Sequence, residues 1–330
     1  MTYYIQPHHA CIIIASHISN PKRIGHLMEC LTSLIQQTVV IPIYLSISFE
    51  TPELQTEYAN IFSEHSHLHR EELHIIIKEE KTPQMRHIEQ LMPIINGTHT
   101  WVMFCDDDDT YEKNRVISFL STIQKCFNEI GDIHDKYFVG LYESHTQQPH
   151  QSKRQEYWCY CIHVALLEKF YELLEPYPDV VDNKCCDILL GEYLRRMSPN
   201  YVFAMIGETL YNYRVDNNVD SITGVIRTQS HNIRKPREIT RENMEECAKE
   251  LDTYLDKELQ IYIHDTFLRT IVGNNFDDIL RHEFLSEYVI LGMVKKEHIQ
   301  AMYNYHMRLL HIANSMYHIK IGDIEREQHE

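Results

Sequence analysis

The chain has 330 residues, of which 43% are hydrophobic and 24% are charged. A chain of this length buries a sizeable core, and this composition excludes a largely disordered protein. The formal net charge of −17 disfavours a nonspecific nucleic-acid binder, because contacts with phosphates need a basic face.

The first hundred residues alternate between strand and helix patterns. Continuous apolar runs predict buried strands at residues 10–15, 41–49, 74–78 and 98–105. Apolar residues at helical spacing predict helices at 24–35, 53–63 and 84–95. Because strands that alternate with helices pair in parallel through crossover connections, the sequence predicts an α/β fold with a mostly parallel sheet. Ligands of such sheets bind outside the carboxyl ends of the strands.

The pattern continues beyond residue 110 and then changes. Residues 115–129, 165–176 and 186–197 predict helices, and residues 138–144 and 156–164 predict strands. From about residue 236 the chain shows long helical patterns without strand signals. We therefore expect one domain at residues 1–235 and a helical C-terminal region at 236–330, which packs against that domain or forms a homodimer.

The cysteines and the apolar runs indicate where the protein resides. The run at residues 10–15 is too short for a signal-peptide core or a membrane span, and no later run approaches a span. Nine cysteines form an odd set without the spacing of a disulfide framework, which is typical of a reducing compartment. We expect a soluble, cytoplasmic protein without a transmembrane segment.

The stretch WVMFCDDDDTYEKNRV, residues 101–116, joins an apolar strand pattern to four consecutive aspartates. Aspartate is a poor strand residue, so the strand is expected to end here. On an extended backbone, Asp106 and Asp108 share one face, and Asp107 and Asp109 share the other. Adjacent carboxylates repel, and a divalent cation removes that repulsion. Because hard oxygen ligands suit Mg²⁺ or Mn²⁺, a metal site is favoured over a solvated acidic turn.

Five segments together resemble a known family. They are IIIAS near the N-terminus, LTSLIQQT in the first helix, WVMFCDDDD, VDNKCCDILLGEYLR at 181–195 and ETLYNYRVDNNVDSIT at 208–223. Over about residues 8–230, the chain resembles the nucleotide-sugar glycosyltransferases of GT-A fold, in particular the large inverting glycosyltransferase family 2. The resemblance implies a GT-A (Rossmann-like) domain. It also implies the metal-dependent transfer of a sugar, with inversion, from a nucleotide-sugar donor to the hydroxyl of a glycan or other acceptor. A UDP-sugar is the favoured donor.

The resemblance implies roles for the aspartates. Asp106 and Asp108 would form the metal-binding motif that holds Mn²⁺ or Mg²⁺ against the donor diphosphate, and Asp107 would contact the donor ribose. Asp216 stands near the position where many members carry a metal-binding histidine. Arg214 would face the diphosphate, or it is a structural ion-pair partner.

The resemblance also implies contacts with the rest of the donor. Three residues in the loop expected after the first strand would lie near the nucleobase: Ala15, Ser16 and His17. The family often has a base-contacting aspartate after its second strand, where this chain has SISFE, with Glu50 or Ser48 as substitutes. Arg86 would meet the donor phosphates, since its guanidinium can offset their charge, or it is a solvent-facing residue of an amphipathic helix.

The segment at 181–195 resembles the family's acidic segment on the acceptor side. Transfer with inversion needs a general base near the attacking hydroxyl. Asp187 matches the position of that base, and Asp182 is the alternative. The structural interpretation is that Asp187 only caps a helix.

The aspartate stretch has a second enzymatic interpretation. Strand, Asp, x, Asp, x, Thr is the pattern of haloacid-dehalogenase-type phosphatases, in which Asp106 would attack and Asp108 would act as acid and base. That family carries the pattern on its first strand, whereas three predicted strands precede it here. A catalytically silent module that binds nucleotide sugars or carbohydrate is the nonenzymatic alternative.

Alternating residues at 159–163 suggest a zinc site. Cys159, Cys161 and His163 would lie on one face of a strand. Structural zinc sites need a fourth ligand and usually a turn between the cysteines, so buried free thiols are favoured.

Overall fold

The structure is a computed structural model that describes residues 5–130, 136–144, 154–214, 239–249, 266–281, 289, 292, 294–322 and 324. The chain divides into two compact units, one formed by Met1–Arg214 with Tyr317–Glu330 and the other by Val215–Met316. The boundary expected at residues 235 and 236 lies outside the described ranges. The division at that boundary therefore stays a prediction.

The first unit contains a central sheet of seven strands. These are β1 (Ala10–Ile18), β2 (Ile43–Phe49), β3 (Leu73–Ile77), β4 (Trp101–Asp106), β6 (Tyr137–Glu143), β7 (Tyr160–His163) and β8 (Tyr201–Ile206). Their order across the sheet is β3-β2-β1-β4-β7-β6-β8. Of these strands, β7 alone runs antiparallel to its neighbours. A separate antiparallel pair joins β5 (Thr110–Tyr111) to β9 (Tyr211–Asn212). The predicted α/β fold with a mostly parallel sheet is confirmed.

Helices flank this sheet. They are α1 (Pro21–Ile35), α2 (Pro52–Glu64), α3 (Gln84–Glu89), α4 (Met92–Ile95), α5 (Arg115–Ile130), α6 (Val164–Leu174), α7 (Pro178–Val181) and α8 (Cys186–Arg195). Proline occupies the start of α1 and α2, where its missing N–H would have no partner within the helix. The Thr51 side chain caps α2 by accepting from the Leu54 N–H at 3.4 Å. The apolar face of α1 is buried, as its helical spacing predicts.

Strand β1 is longer than its apolar run. It continues to Ile18 because its backbone stays paired with β2 as far as the partners Ile18 and Phe49. Ala15, Ser16 and His17 therefore lie within the strand, and their placement in a loop after it is wrong. The residues still stand at the carboxyl end of the strand, where ligands of such sheets bind.

Two other predictions need correction. The single helix expected at 84–95 is divided into α3 and α4, because Pro93 lacks an N–H and its ring conflicts with the carbonyl of Glu89, where α3 ends. The strand expected at 156–164 begins with a 3₁₀ turn at Tyr157–Cys159, and only Tyr160–His163 pair in the sheet. Strand β8 was not predicted.

Gly140 permits the close contact between β6 and β7. A Cβ at this position would lie 2.4 Å from the carbonyl oxygen of Cys161 and 3.1 Å from the Phe203 ring. No side chain fits at the first of these distances. The same glycine lies at an irregularity in the pairing of β6 with β8. Any larger residue here would therefore force β6 away from β7.

A segment near the end of the chain packs on the first unit. The Arg196 guanidinium lies 4.6 Å from the centre of the Tyr317 ring. The Ile321 N–H donates to the Tyr201 hydroxyl at 2.5 Å, and the side chains of Ile321 and Ile324 are buried. The first unit is therefore built from two stretches of chain that are far apart in sequence.

The described part of the second unit is helical. It contains helices at Phe276–Leu280 and Lys296–Met316 and helical residues at 244–249 and 266–271. The prediction of a helical C-terminal region agrees with these residues. Among the described residues, no helix has the length and apolar character that a membrane crossing requires.

Candidate functional site

The strand order changes direction between β1 and β4. Strands β1, β2 and β3 follow one another toward one edge of the sheet, whereas β4 lies on the other side of β1. Ala15 pairs with Asp106 across these strands, and the Ser16 hydroxyl donates to Asp107 Oδ2 at 2.5 Å. In open α/β sheets, ligands bind at such a switch point, outside the carboxyl ends of the strands. The aspartates thus lie where the fold favours a ligand.

The backbone turns after Asp106. Strand β4 ends there, residues 107 and 108 form a turn, and the Asp109 N–H donates to the Asp106 carbonyl at 3.2 Å. The extended backbone expected along this stretch is therefore wrong. The turn places each carboxylate in different surroundings. We call residues 106–109 the aspartate turn.

Two neighbours hold the side chain of Asp106. Its Oδ1 accepts from Gln84 Nε2 at 3.0 Å and from the Tyr157 hydroxyl. Gln84 Nε2 also donates to the Tyr157 hydroxyl oxygen at 2.8 Å, which closes a triangle of hydrogen bonds. Within the described part of the chain, Asp106 Oδ2 has no hydrogen-bond partner. This oxygen of Asp106 is therefore available to a cation.

Arg23 lies between the next two carboxylates. Its Nη2 donates to Asp107 Oδ1 at 2.5 Å, and its Nη1 lies 3.9 Å from Asp108 Oδ2. The Asp107 side chain is 6% exposed and that of Asp108 is 20% exposed. Arg23 Nε is shielded from solvent and has no hydrogen-bond partner among the residues that the structure describes. The guanidinium offsets part of the negative charge of the turn.

Tyr211 joins the two ends of the aspartate turn. Its hydroxyl oxygen accepts from the Asp106 N–H at 3.0 Å, and the hydroxyl donates to Asp109 Oδ2 at 2.8 Å. Asp109 is buried, so its carboxylate needs these partners. The hydroxyl of Tyr211 therefore fixes the conformation of the turn.

Arg214 binds the same turn through its backbone and its side chain. Its N–H donates to Asp109 Oδ1 at 2.7 Å, and its Nε donates to the Asp108 carbonyl at 2.8 Å. Its Nη2 forms an ion pair with Glu29. These contacts agree with the structural alternative for Arg214, which holds the turn in place.

A buried ion pair between Arg115 and Glu143 packs against the ring of Tyr211. Arg115 Nε donates to Glu143 Oε1 at 2.6 Å, and both side chains are fully buried. Glu143 Oε2 accepts from the Leu210 N–H at 2.5 Å. The guanidinium carbon of Arg115 lies 4.0 Å from the centre of the Tyr111 ring and 5.0 Å from that of Tyr211. The ion pair thus anchors both strands of the β5–β9 ladder.

Burial makes the aspartate turn electrostatically unfavourable. It raises the pKa of Asp106 well above its ordinary range, and the charge of Asp109 raises it further. Burial also raises the pKa of Asp107, although the Arg23 guanidinium opposes that shift. Burial raises the pKa of Asp109 to about 7, against the hydrogen bond from the Arg214 backbone. A cation at the turn would relieve this repulsion.

The residues predicted to meet the nucleobase lie together at the ends of β1 and β2. His17 Nδ1 lies 2.9 Å from Ser48 Oγ, and His17 Nε2 lies 2.8 Å from Glu50 Oε2. Lys81 Nζ contacts the same Glu50 oxygen at 2.7 Å. Ser48 Oγ also lies 3.2 Å from His87 Nε2. Both substitutes for the family's aspartate, Ser48 and Glu50, therefore belong to one network with His17.

Arg86 lies at a different set of contacts. Its Nε donates to Asp182 Oδ1 at 2.9 Å, its Nη1 to Glu89 Oε2 at 2.5 Å, and its Nη2 to the Pro178 carbonyl at 2.9 Å. Asp182, the alternative base, is thereby an ion-pair partner. The residue of this segment that contacts the aspartate turn is Gln84.

Asp187 lies in the first turn of α8. Burial raises its pKa to about 7, and the charge of Glu156 adds to the shift, while backbone hydrogen bonds and the charge of Arg154 oppose it. Arg154 Nη2 and Glu156 Oε1 form an ion pair of 3.1 Å. Burial, Asp106 and Asp187 all raise the pKa of Tyr157. Asp187 is thus a carboxyl group with a pKa raised toward neutral, and its charge acts on Tyr157, which is a hydrogen-bond partner of Asp106.

The capping position of α8 belongs to another residue. Cys185 is the N-cap, and its N–H donates to Asn183 Oδ1 at 3.0 Å. Asp187 is the second residue of the helix and accepts a backbone hydrogen bond from Ile188. Its carboxyl group therefore helps to satisfy the helix start without being its cap.

Asp106 and Asp108 offer the oxygen ligands that Mg²⁺ and Mn²⁺ prefer. Asp216, the third predicted ligand, lies outside the described residues. In the described ranges, no group of three or more His, Cys, Asp and Glu side chains is arranged to hold a metal ion. Both ions commonly take one or two protein carboxylates and complete their coordination with water and substrate phosphates. The pair therefore fits an ion that binds together with a phosphorylated ligand.

The residues of the zinc pattern are core residues. Cys159 and Cys161 are buried free thiols, and burial raises the pKa of both. His163 Nδ1 accepts from the Ala165 N–H at 3.2 Å, which caps α6. These contacts favour the interpretation as buried thiols.

Four residues whose side chains contact carboxylates of the aspartate turn were not predicted: Arg23, Gln84, Tyr157 and Tyr211. All four lie within residues 8–230, the range that the resemblance covers, and three of them lie close to the first strand or to a residue already singled out. Arg23 follows the first strand, Gln84 precedes Arg86 by two positions, and Tyr211 precedes Arg214 by three. Polar residues beside each suspected position were the available signal.

No protein-family model and no curated protein matches the sequence. Among solved structures, the chain is similar to the mannosyltransferase PcManGT from Pyrobaculum calidifontis in complex with GDP-Man and Mn²⁺, with 12% identity and a TM-score of 0.43 over 93% of this chain and 86% of that one. It is also similar to TarS from S. aureus, with 12% identity and a TM-score of 0.40 over 92% of this chain and 55% of that one.

A shorter TarS chain, residues 1–349 in complex with UDP-GlcNAc, gives 12% identity and a TM-score of 0.38 over 92% of this chain and 90% of that one. The chain thus spans about half the length of the longer TarS chain, at 55%.

Proposed function

We propose that this protein is a metal-dependent glycosyltransferase that moves a sugar from a nucleotide-sugar donor to a hydroxyl acceptor with inversion. The observation that carries the proposal is the aspartate turn at the switch point between β1 and β4, where Ser16 contacts Asp107 at 2.5 Å. Open α/β sheets bind nucleotides outside the carboxyl ends of such strands. The buried carboxylates suit a cation that accompanies a diphosphate.

The donor would lie across the ends of β1, β2 and β4. Asp106 and Asp108 would hold Mn²⁺ or Mg²⁺, which neutralises negative charge on the leaving diphosphate when it is bound. The nucleoside would lie against the carboxyl ends of β1 and β2, and Asp107 would contact its ribose. Uridine is the favoured nucleoside. The residues proposed for the nucleobase are Ala15, Ser16, His17 and Glu50.

Asp187 would act on the acceptor. Its carboxylate would take the proton of the acceptor hydroxyl as the hydroxyl oxygen bonds to the anomeric carbon, while the bond from that carbon to the diphosphate breaks on the opposite face. The anomeric centre inverts because the bonds form and break on opposite faces. A pKa of about 7 suits this role, since such a group is both ionised and basic near neutral pH.

A screen of UDP-, GDP- and dTDP-sugars with Mn²⁺ tests the proposal. We expect Mn²⁺-dependent hydrolysis or transfer whose rate Asp108→Ala and Asp187→Asn each lower strongly. Binding without turnover would instead support the silent module, and phosphate release from simple monoesters would support the phosphatase. Activity retained in both variants would contradict the site. NMR of the product anomer tests inversion.

Self-association through residues 236–330 is a separate proposal. Light scattering of the whole chain over a range of concentrations tests it, and a monomer at every concentration would reject it. Truncation at residue 235 is a poorer test, because it also removes the segment that contacts Tyr201.

A further inference from the structure

We infer that Arg23 binds the donor diphosphate, a role that sequence analysis gave to Arg86. The inference rests on the proposed function. It extends that function by naming the arginine that recognises the phosphate groups. Three arginines are compared: Arg23 in the first turn of α1, Arg86 in α3, and Arg214 after β9.

The other two arginines are committed to the protein. All three guanidinium nitrogens of Arg86 donate to other groups, which are Asp182, Glu89 and the Pro178 carbonyl. Arg214 uses Nε for the Asp108 carbonyl and Nη2 for Glu29. Either residue would have to break these contacts before it could bind a phosphate oxygen.

Arg23 has donors that its neighbours do not use. Nη2 binds Asp107, but Nη1 lies 3.9 Å from Asp108 Oδ2, beyond hydrogen-bond distance. Nε is buried and has no hydrogen-bond partner among the described residues. A buried donor without a partner is costly in a folded protein, so its position favours a ligand that accepts from it.

The chemistry of the guanidinium fits a diphosphate. Its planar donors match the oxygens of a phosphate and can bind two of them at once. The Arg23 side chain is 15% exposed, so its charge acts in a poorly solvated site where electrostatic attraction is strong. The contact with Asp107 keeps it at the aspartate turn, next to the carboxylates proposed for the metal. A metal-bound diphosphate would therefore meet Arg23 at the same place.

Titration calorimetry of the whole chain tests the inference with UDP, GDP and dTDP in the presence of Mn²⁺. We expect Arg23→Gln to weaken binding of the preferred diphosphate by about 10- to 100-fold, the loss of one or two charged hydrogen bonds. Arg23→Lys keeps the charge but loses the planar donors, so an intermediate loss is expected. Arg86→Gln is the matched control and should bind the diphosphate as the wild type does.

Two further measurements separate phosphate binding from a structural role. Arg23→Gln should bind Mn²⁺ alone no more weakly than the wild type, because the substitution removes a positive charge beside the metal ligands. Binding of the matching nucleoside, followed by NMR, should also stay unchanged. If Arg23 only held Asp107 in place, the affinities for Mn²⁺ and for the diphosphate would fall together, which would overturn the inference.

An unchanged diphosphate affinity in Arg23→Gln would also overturn it. If that variant does not fold, Arg23→Lys decides, and an unchanged affinity in Arg23→Lys would reject the role. A wild-type chain that binds none of the three diphosphates would reject the proposed function, and the inference with it. Failure of the inference alone is recognised by a wild type that binds and an Arg23 variant that binds equally well.

Discussion

Gln84 donates a hydrogen bond of 3.0 Å to Asp106 and so joins the start of α3 to the end of β4. Because the same amide group also binds the Tyr157 hydroxyl, Asp106 Oδ1 is fixed from two sides. The orientation of this carboxylate is therefore set before any ligand binds. We expect the affinity of the site for a metal ion to depend on Gln84 and Tyr157, which hold the carboxylate.

Substitution of Gln84 should weaken the binding of Mn²⁺ at the aspartate turn. Gln84→Met keeps the length of the side chain but removes both hydrogen bonds, so Asp106 loses its fixed orientation. We expect the Mn²⁺ concentration for half-maximal donor hydrolysis to rise about 10-fold or more. Gln55→Met, on an exposed face of α2, is the control and should change nothing. An unaltered Mn²⁺ requirement in Gln84→Met would contradict the role.

Loss of the Tyr211 hydroxyl should loosen the aspartate turn. Tyr211→Phe leaves the Asp106 N–H and Asp109 Oδ2 without this partner. We expect the free energy of unfolding in urea to fall by about 1–3 kcal/mol, together with weaker Mn²⁺ binding. Tyr193→Phe is the control, because its buried hydroxyl donates to the Leu166 carbonyl away from the aspartates. The control should lose stability without losing Mn²⁺ affinity, and equal Mn²⁺ losses in both variants would argue against the role of Tyr211.

The titration of Asp187 should be visible in activity. Because burial raises its pKa to about 7, the rate should rise as pH increases through that value and level off above it. Asp187→Asn should lower the rate by about 100-fold or more and remove this dependence. A pH profile of the rate under saturating donor measures both, and an unchanged limb near pH 7 in Asp187→Asn would assign the titration to another group.

The same shift has an effect on stability with a defined sign. A carboxyl group whose pKa rises on folding from 3.8 to about 7 holds its proton more tightly in the folded state. Its contribution to stability is therefore complete at low pH and decreases as pH rises between these two values. Asp187→Asn should gain stability relative to the wild type across this interval. Thermal unfolding at several pH values measures the difference, and a gain that does not grow with pH would contradict the burial of this group.

The buried ion pair beneath Tyr211 should be sensitive to loss of one partner. Glu143→Gln leaves the Arg115 guanidinium in a fully buried site without its counter-charge. We expect a loss of about 3–5 kcal/mol in the free energy of unfolding. Glu129→Gln, which removes the exposed pair with Lys125, should change it by less than about 1 kcal/mol. Similar losses of unfolding free energy in the two variants would contradict the larger contribution expected from the buried pair.

The fold was predictable because its pattern is periodic. Segments of continuous apolar residues alternate with segments whose apolar residues recur at helical spacing. Only a few sheet topologies accommodate that alternation. The position of the aspartates was predictable for the same reason, since a strand that ends in charged residues brings them to the edge of the sheet. Strand β8 was missed although its sequence, YVFAMI, is a continuous apolar run like those of the strands that were predicted.

The partners of the aspartates were not predictable from spacing. Arg23 and Tyr211 reach the turn from positions 84 and 102 residues away from their carboxylate partners. Such contacts depend on how helices and strands pack and leave no local periodicity. The turn after Asp106 was missed because a run of identical residues carries no signal that separates an extended backbone from a bend.

The contact of Ile321 with Tyr201 has a consequence for biosynthesis. Residues 1–214 emerge from the ribosome before residues 317–324 have been synthesised. The surface that Ile321 and Ile324 cover is therefore exposed to solvent on the nascent chain. An apolar surface of this kind attracts chaperones and favours aggregation. The first unit is therefore completed only after residues 317–324 have been added, and its yield in a cell depends on how long the unfinished intermediate persists.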